Sequence, residues 1–213
     1  MKINIRSLKN IMKELNNMIE LKNSKTNMIT KAKMYGLENA LRVSGFPMQI
    51  EDKEETSEHL LKRGSRLGNT PVGEGHDNYL NGVIIQFDGD FTNKFTVEFQ
   101  RYHHKDYISS QSLQFTIAKR DESFFDKYTS PKAIEAFMEA KEQYLKTKDK
   151  EDYLRLLMSC PNGMKIKAGF TTNMRQLKTM YLQRRHHRLP EWQEFCDWCL
   201  SIPYFSELTG IRD

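Results

Sequence analysis

The sequence has little cysteine and no long apolar run. Its 213 residues contain only three cysteines, an odd number without regular spacing, which excludes a disulfide framework and indicates a reducing compartment. No apolar stretch approaches the roughly 20 residues that a membrane-spanning helix requires. The first ten residues, MKINIRSLKN, lack the apolar segment of a secretory signal. We therefore expect a cytoplasmic protein without a membrane partner.

Charge and length limit the function classes further. Charged residues make up 29% of the chain, hydrophobic residues 38%, and the formal net charge is +5. The chain is long enough to bury a core, and we expect a single domain over residues 1–213. The basic balance suits an anionic partner such as a nucleotide, a phosphate or a nucleic acid. A basic solvated surface explains the same balance equally well.

The first half of the chain predicts strands. Residues 2–6 favour a short strand, and 7–33 show weak helical spacing, so 1–35 form an N-terminal strand and helix extension. Alternating apolar residues at 83–87 and 95–99, with DGDFTN between them, predict a β-hairpin. Residues 36–44 predict a short helix, the Gly-, Asn- and Pro-rich segment 64–79 predicts a long loop, and 112–118 predict an extended piece.

The second half predicts helices. Ser130 and Pro131 are an N-cap and a first helical residue. Residues 150–158 predict a second helix, and 161–163 predict a turn. A third helix is predicted from a cap near Thr172 to about Arg188. A fourth is predicted to begin at Pro190 and to end near Ser201. Strands followed by helices indicate the α+β class.

The third of these helices carries an unusual arginine. Met174, Leu177, Tyr181 and Arg184 share one face, so a guanidinium continues an apolar stripe. Such a side chain needs a partner, because unpaired burial of a charge is costly. The partner is an anionic ligand or a core carboxylate, unless the helix ends before Arg184. Arg175, nine residues earlier, faces the opposite side.

Other polar residues form three further candidate groups. His76 and Asp77 lie in the predicted loop, where glycines allow close backbone approach to a ligand, although a structural role is as compatible. His103 and His104 follow a predicted strand, and they suit proton transfer or phosphate contact unless they only end the strand. Cysteines 196 and 199 have CxxC spacing but lie on an apolar stripe, so buried thiols are favoured and no metal site is predicted.

Four segments together resemble a known family. Asn-Met-Arg-Gln-Leu at 173–177, an arginine at 184 and Pro-Glu-Trp at 190–192 are similar to the C-terminal motif of flavin-dependent thymidylate synthases. Ala-Leu-Arg-Val-Ser at 40–44 and Gly-His-Asp-Asn-Tyr at 75–79 resemble earlier family segments, and 100–112 lie where the family carries its arginine- and serine-rich signature. The resemblance covers about residues 36–205. The Lys- and Asn-rich composition is also compatible with a phage gene product.

The resemblance implies a fold and a chemistry. The fold is an antiparallel sheet with packed helices, as in thymidylate-synthase-complementing proteins, in a homotetramer that shares sites between chains. The implied ligands are FAD, the pyrimidine nucleotide dUMP and a folate that donates a methylene group. The implied site residues fall into three groups: catalytic, Arg184 and His103; cofactor-binding, Asn173, Arg175, His104 and His76; substrate-binding, Arg184, Ser112, Gln100, Arg101 and Arg185.

The sequence also departs from the family. Gln114 and Leu157 stand where arginines should bind the nucleotide phosphate, and Thr179 stands where an asparagine should contact the flavin. Loss of these charge-assisted hydrogen bonds would disable phosphate binding unless other cations replace them. The candidate replacements are Arg101, Lys105, Arg185 and Arg188. The alternative is therefore a non-catalytic protein that binds a nucleotide or nucleic acid on the same scaffold without flavin.

Overall fold

The computed structural model describes residues 18–51, 53–71 and 73–212. The strand predicted at 2–6 lies outside the described residues. Five strands form one antiparallel sheet with the order β1-β2-β3-β5-β4. They are β1 Ile19–Glu20, β2 Ile29–Tyr35, β3 Ile84–Thr92, β4 Lys105–Ser110 and β5 Lys165–Asn173. In the β1–β2 pair, Ile19 lies opposite Met34 and Glu20 opposite Lys33.

Helices account for most of the remaining regular structure. The α-helices are α1 Leu37–Val43, α2 Ser57–Gly68, α3 Asn93–Phe99, α4 Leu113–Thr116, α5 Pro131–Thr147, α6 Lys150–Met158, α7 Met174–Arg184, α8 Pro190–Ser201 and α9 Phe205–Thr209. Short 3-10 helices cover Phe46–Met48, His76–Gly82, Ile117–Lys119 and Glu122–Phe124. The sheet with its packed helices confirms the predicted α+β class. Within the described part of the chain, no helix is long and apolar enough to cross a membrane.

The described residues group into two compact units. The first unit contains the residues up to 88, with 104–106 and those from 170 onward, and the second contains 89–103 and 107–169. In the first unit, the Phe87 ring lies 5.4 Å from that of Phe170 and 5.2 Å from that of Trp198. In the second, an apolar cluster includes the buried side chains of Ile117, Phe125, Phe137, Leu156 and Met164. Each unit therefore has a core of its own.

The predicted hairpin at 83–99 is wrong. Strand β3 continues through the supposed turn to Thr92, and the second predicted strand is helix α3. The Thr92 hydroxyl accepts a hydrogen bond from the Phe95 amide at 3.1 Å and caps this helix. Phe91, Phe95 and Phe99 are buried at a spacing of four residues, whereas Val97 is 63% exposed. In a strand Phe95, Val97 and Phe99 would share one face, so the exposure of Val97 between two buried rings follows the period of a helix.

The predicted loop at 64–79 is only partly correct. Helix α2 extends to Gly68, and a 3-10 helix begins at His76. A Cβ atom on Gly64 would lie 2.5 Å from the Leu41 side chain, and a Cβ on Gly68 would overlap the Leu208 carbonyl group. These glycines therefore allow α2 to pack closely against α1 and α9, and they do not form a turn.

Other expectations divide in the same way. The helix predicted from the weak spacing at 7–33 is wrong for the described residues, because β1 and the start of β2 lie there. In the extended piece predicted at 112–118, residues 113–118 are helical. The order of strands before helices fails at β5, and the third helix ends at Arg184 instead of 188. Helices α1, α5, α6 and α8 and the turn at 161–163 confirm their predictions.

Candidate functional site

The junction of β5 and α7 positions the first group of predicted site residues. Asn173 ends β5, and its side-chain oxygen accepts a hydrogen bond from the Gln176 amide at 2.8 Å, so Asn173 and not Thr172 caps α7. The Met174 amide donates to the Val83 carbonyl at 2.9 Å. The amino-terminal end of α7 is thus fixed at both the side chain and the backbone.

Hydrogen bonds hold His104 at the same end of α7. The His104 amide donates to the Gln176 side-chain oxygen at 3.3 Å, and the Thr172 hydroxyl donates to the His104 carbonyl at 2.8 Å. Both contacts use the backbone of His104, and the residue is exposed. These two bonds therefore fix the backbone of His104 and do not involve its imidazole.

A buried carboxylate connects α7 to the 3-10 helix His76–Gly82. Asp77 is 2% exposed. It accepts hydrogen bonds from Arg175 Nε at 3.0 Å and from Lys178 Nζ at 2.9 Å, and the same ammonium donates to the Gly68 carbonyl at 2.8 Å. Burial opposes ionisation of Asp77, but the hydrogen bonds and charges of Lys178 and Arg175 outweigh it, so its pKa lies below the usual value.

Lys178 was missed by the sequence interpretation. It lies four residues after Met174, beside the apolar stripe of α7, and its side chain is only 4% exposed. A lysine at such a position requires a buried anionic partner. This requirement could have suggested from the sequence that Lys178 pairs with Asp77, which was already a candidate residue.

The structure brings the four predicted cofactor-binding residues to one end of α7. Asn173 caps the helix, Arg175 lies in its first turn, and His104 is bonded to Gln176. His76 is exposed and directly precedes Asp77, which holds Arg175. The four residues come from three separate segments of the sequence, so their convergence is a property of the fold.

Arg184 lies at the other end of the same helix. Its guanidinium carbon lies 4.9 Å from the centroid of the Trp192 ring, and the residue is half-buried. Helix α7 is continuous from Met174 to Arg184, so nine residues separate Arg175 from Arg184, about 13 Å along the axis. Arg185 and Arg188 are exposed beyond this end. Within one chain, Arg175 and Arg184 therefore lie at opposite ends of α7.

The remaining predicted residues belong to the second unit. Gln100, Arg101, His103 and Ser112 are all exposed there. The Gln100 side chain hydrogen-bonds to that of Tyr107, and Ser112 precedes α4 without forming a side-chain cap. His103 and His104 are adjacent in sequence but fall in different units.

The positions that depart from the family hold no cation. Gln114 is exposed, and its carbonyl accepts a hydrogen bond from the Tyr153 hydroxyl at 2.7 Å. Leu157 packs against the apolar cluster of the second unit. The Thr179 hydroxyl donates to the Arg175 carbonyl at 3.2 Å. Burial lowers the pKa of Lys105, a candidate replacement cation, although nearby Asp106 opposes this shift.

The CxxC pair has the environment of core thiols. Cys196 and Cys199 are buried on α8 with Trp192 and Phe195, and neither is in a disulfide. Burial raises the pKa of Cys196 to about 12 and that of Cys199 well above its usual value. In the described ranges no cluster of three or more His, Cys, Asp or Glu side chains could hold a metal ion.

The amino-terminal end of α7 fits an anionic cofactor. Among the described residues, Arg175 makes one side-chain hydrogen bond, through Nε, so its two Nη groups can donate to a ligand. The two positive charges of Arg175 and Lys178 exceed the single negative charge of Asp77, which leaves a net charge of about +1. The amino end of a helix also favours an anion. These residues fit the diphosphate of a flavin nucleotide. The expected phosphate positions of dUMP, Gln114 and Leu157, offer no cation to a phosphate dianion.

Comparison with solved structures identifies the fold. Two crystal structures of the flavin-dependent thymidylate synthase ThyX from Helicobacter pylori, both with FAD and dUMP, are similar to this chain with a TM-score of 0.68 and 15% identity. The similarity covers 83% of this chain and 93% and 94% of theirs. No family model matches the sequence, and no curated protein matches it either. The chain therefore has a ThyX-like fold, as the sequence resemblance implied.

Proposed function

We propose that this chain is a divergent flavin-dependent thymidylate synthase-like protein that binds FAD and a pyrimidine nucleotide such as dUMP. One observation carries the proposal: within a ThyX-like fold, the four residues predicted to bind the cofactor meet at the amino-terminal end of α7. FAD, when bound, supplies the redox chemistry of a reaction in which a folate supplies the carbon.

Different residues of the chain bind the cofactor and the substrate in this proposal. Asn173, His76, His104 and Arg175 hold the cofactor, and Asp77 fixes the Arg175 guanidinium through Nε. Arg184 binds the pyrimidine and stabilises negative charge on its ring, while the Trp192 ring restrains the arginine. His103 transfers protons. The substrate-binding residues are Gln100, Arg101, Ser112 and Arg185.

A homotetramer is part of this proposal. Arg175 and Arg184 stand at opposite ends of one continuous helix. If they come from different chains, both can serve the same ligand pair. Shared sites between subunits resolve this difficulty without breaking α7.

A second candidate function is nucleotide binding without flavin chemistry. It is favoured by Gln114 and Leu157, because neither position supplies a cation to pair with the phosphate of dUMP. In this case the scaffold holds a nucleotide or nucleic acid through other cations. Exposed Arg101, Arg185 and Arg188 are candidates.

The absorbance spectrum of the purified protein tests the proposal first. We expect a flavin band, and we expect FAD and dUMP each to raise the melting temperature. At a ligand concentration 100 times the Kd the stabilisation is about 2.7 kcal/mol, which corresponds to roughly 5–10 °C for a chain of this size. A colourless protein that responds to dUMP and not to FAD favours the second candidate. A protein that responds to neither contradicts both.

Paired arginine variants locate the cofactor site. Arg175→Gln should weaken FAD binding by about tenfold or more, because it removes the guanidinium donors. Arg155→Gln is a matched control: Arg155 also pairs with a shielded aspartate, Asp152, at 3.1 Å, but it lies in the second unit. Equal loss of FAD affinity in the two variants would exclude a specific role for Arg175.

Arg184→Ala tests the substrate role separately. It should abolish binding of dUMP and leave the bound flavin in place. The fold should lose little stability, since an arginine over an aromatic ring contributes about 0.5–1 kcal/mol at a partly exposed site. Unfolding of this variant, with nucleotide affinity unchanged in the folded fraction, would show that Arg184 is structural.

A further inference from the structure

A basic cavity lies along α2, and its described lining residues are not among those assigned above. It has a volume of about 310 Å³ and is lined by His59, Lys62, Arg63 and Arg66. The spacing of three, one and three residues places these four side chains on one face of α2. The opposite face, with Leu60, Gly64 and Gly68, is buried. Three of the described lining residues carry a positive charge, and the fourth is a histidine.

Arg63 forms a rigid part of this cavity. Its Nη1 contacts Glu55 Oε2 at 2.6 Å, its Nε donates to the Ser44 hydroxyl at 3.0 Å, and its Nη2 donates to the Leu41 carbonyl at 2.9 Å. The side chain is only 10% exposed. Nη2 also donates to the Arg42 carbonyl at 3.3 Å, so four groups engage all the N–H donors of this guanidinium. Arg63 is therefore preorganised and supplies fixed positive charge without reorganising when an anion arrives.

Glu55 neutralises only part of the positive charge. It contacts Arg63 and also His59 Nδ1 at 2.8 Å. The hydrogen bond from Arg63 keeps the pKa of Glu55 low even though burial opposes this, so its carboxylate is ionised at neutral pH. One carboxylate is therefore shared between two basic side chains.

Lys62 and Arg66 remain without an anionic partner among the described residues. Both are exposed, and the structure records no hydrogen bond or ion pair for either side chain there. They are four residues apart on one helix face, an arrangement in which like charges repel. An anion bound between them would remove this repulsion and satisfy their donors.

We propose that this cavity is a second anion site, which binds the phosphate groups of a free nucleotide or polyphosphate. Its volume lies at the lower end of the roughly 300–1,000 Å³ of small-molecule pockets, which suits a di- or triphosphate. Arg63 supplies a fixed wall, and Lys62 and Arg66 close on the phosphate oxygens. The site shares no residue with the amino-terminal end of α7, and it does not depend on the proposed flavin chemistry.

Calorimetric titration with inorganic tripolyphosphate tests this site. We expect the wild-type chain to bind it with an affinity that falls as the salt concentration rises. The Lys62→Gln/Arg66→Gln variant should bind about 100-fold more weakly, at about tenfold for each charge-assisted contact removed. Lys22→Gln/Lys25→Gln is the matched control, because it removes two exposed positive charges from the same unit. Circular dichroism checks that all three proteins are folded.

Each outcome decides the proposal. Loss of affinity in the α2 variant alone supports it. No binding by the wild-type chain, or equal loss in the control variant, overturns it. A single-stranded oligothymidylate is titrated in parallel: if it binds through Lys62 and Arg66 while tripolyphosphate does not, the ligand is nucleic acid and the assignment to a free nucleotide is wrong. Failure to bind flavin leaves every one of these readings unchanged.

Discussion

Replacement of Asp77 by asparagine should destabilise the first unit strongly. Asp77 is the carboxylate that compensates Lys178, whose ammonium lies 2.9 Å away with a side chain 4% exposed. In Asp77→Asn the ammonium stays buried with the Gly68 carbonyl as its other recorded acceptor. Breaking a buried ion pair from one side costs about 3–5 kcal/mol. This is a large part of the roughly 5–15 kcal/mol that stabilises a typical domain.

The two partners of Asp77 should differ in their effects. Arg175 contacts the carboxylate at 3.0 Å, but its side chain is 32% exposed, so water can solvate it when the partner is lost. Arg175→Gln should therefore cost less than Asp77→Asn. The double variant Asp77→Asn/Lys178→Met should recover much of the loss, because an apolar side chain replaces the uncompensated ammonium.

Urea unfolding followed by tryptophan fluorescence measures these differences. Both tryptophans of the chain, Trp192 and Trp198, lie on α8 in the first unit, so the signal reports the unit that contains Asp77. A free energy of unfolding for Asp77→Asn within about 0.5 kcal/mol of the wild-type value would refute the reasoning. Failure of Lys178→Met to improve Asp77→Asn would show that the buried ammonium is not the source of the loss.

Three further predictions follow from burial and packing. Because the pKa of Asp77 is lower in the folded than in the unfolded state, ionised Asp77 contributes stability that is complete above about pH 4 and is lost as the pH falls through the folded-state pKa. The urea midpoint should therefore fall more steeply with acid in the wild type than in Asp77→Asn. Gly68→Ala should cost about 1–3 kcal/mol, because its Cβ would overlap the Leu208 carbonyl group, and thermal unfolding measures this. A thiol reagent should modify half-buried Cys160 in the native protein, whereas the two thiols on α8 should react only after unfolding; rapid native labelling of Cys196 would contradict this.

The parts of the fold that could be predicted carry local signals. Pro131 and Pro190 begin their helices where the sequence places them, because proline fixes the backbone angle that a first helical turn requires. The hairpin at 83–99 failed since Phe95 and Phe99, four residues apart, share one face in a helix as well as in a strand. The choice between them depends on what buries Phe91, Phe95 and Phe99, and that is tertiary information.

The sequence could propose candidate site residues but not their geometry. Asn173, Arg175 and Arg184 stand out by their spacing in one segment, but the cofactor group also needs His76 and His104 from distant segments. The approach of His104 depends on Gln176, a side chain with no pattern around it in sequence. The pairing of Asp77 with Lys178 likewise spans 101 positions, beyond the reach of any local rule.

The buried network at Asp77 links stability to the proposed function. If stability alone were required, apolar side chains of similar volume in place of Asp77 and Lys178 would serve at least as well, since desolvation of both charges offsets their attraction. Apolar residues could not hold Arg175. The carboxylate binds Nε of that guanidinium and leaves both Nη groups able to donate in one fixed plane. On the proposed function, the costly charge pair therefore orients the arginine that meets the cofactor, and Lys178 keeps the orienting carboxylate ionised.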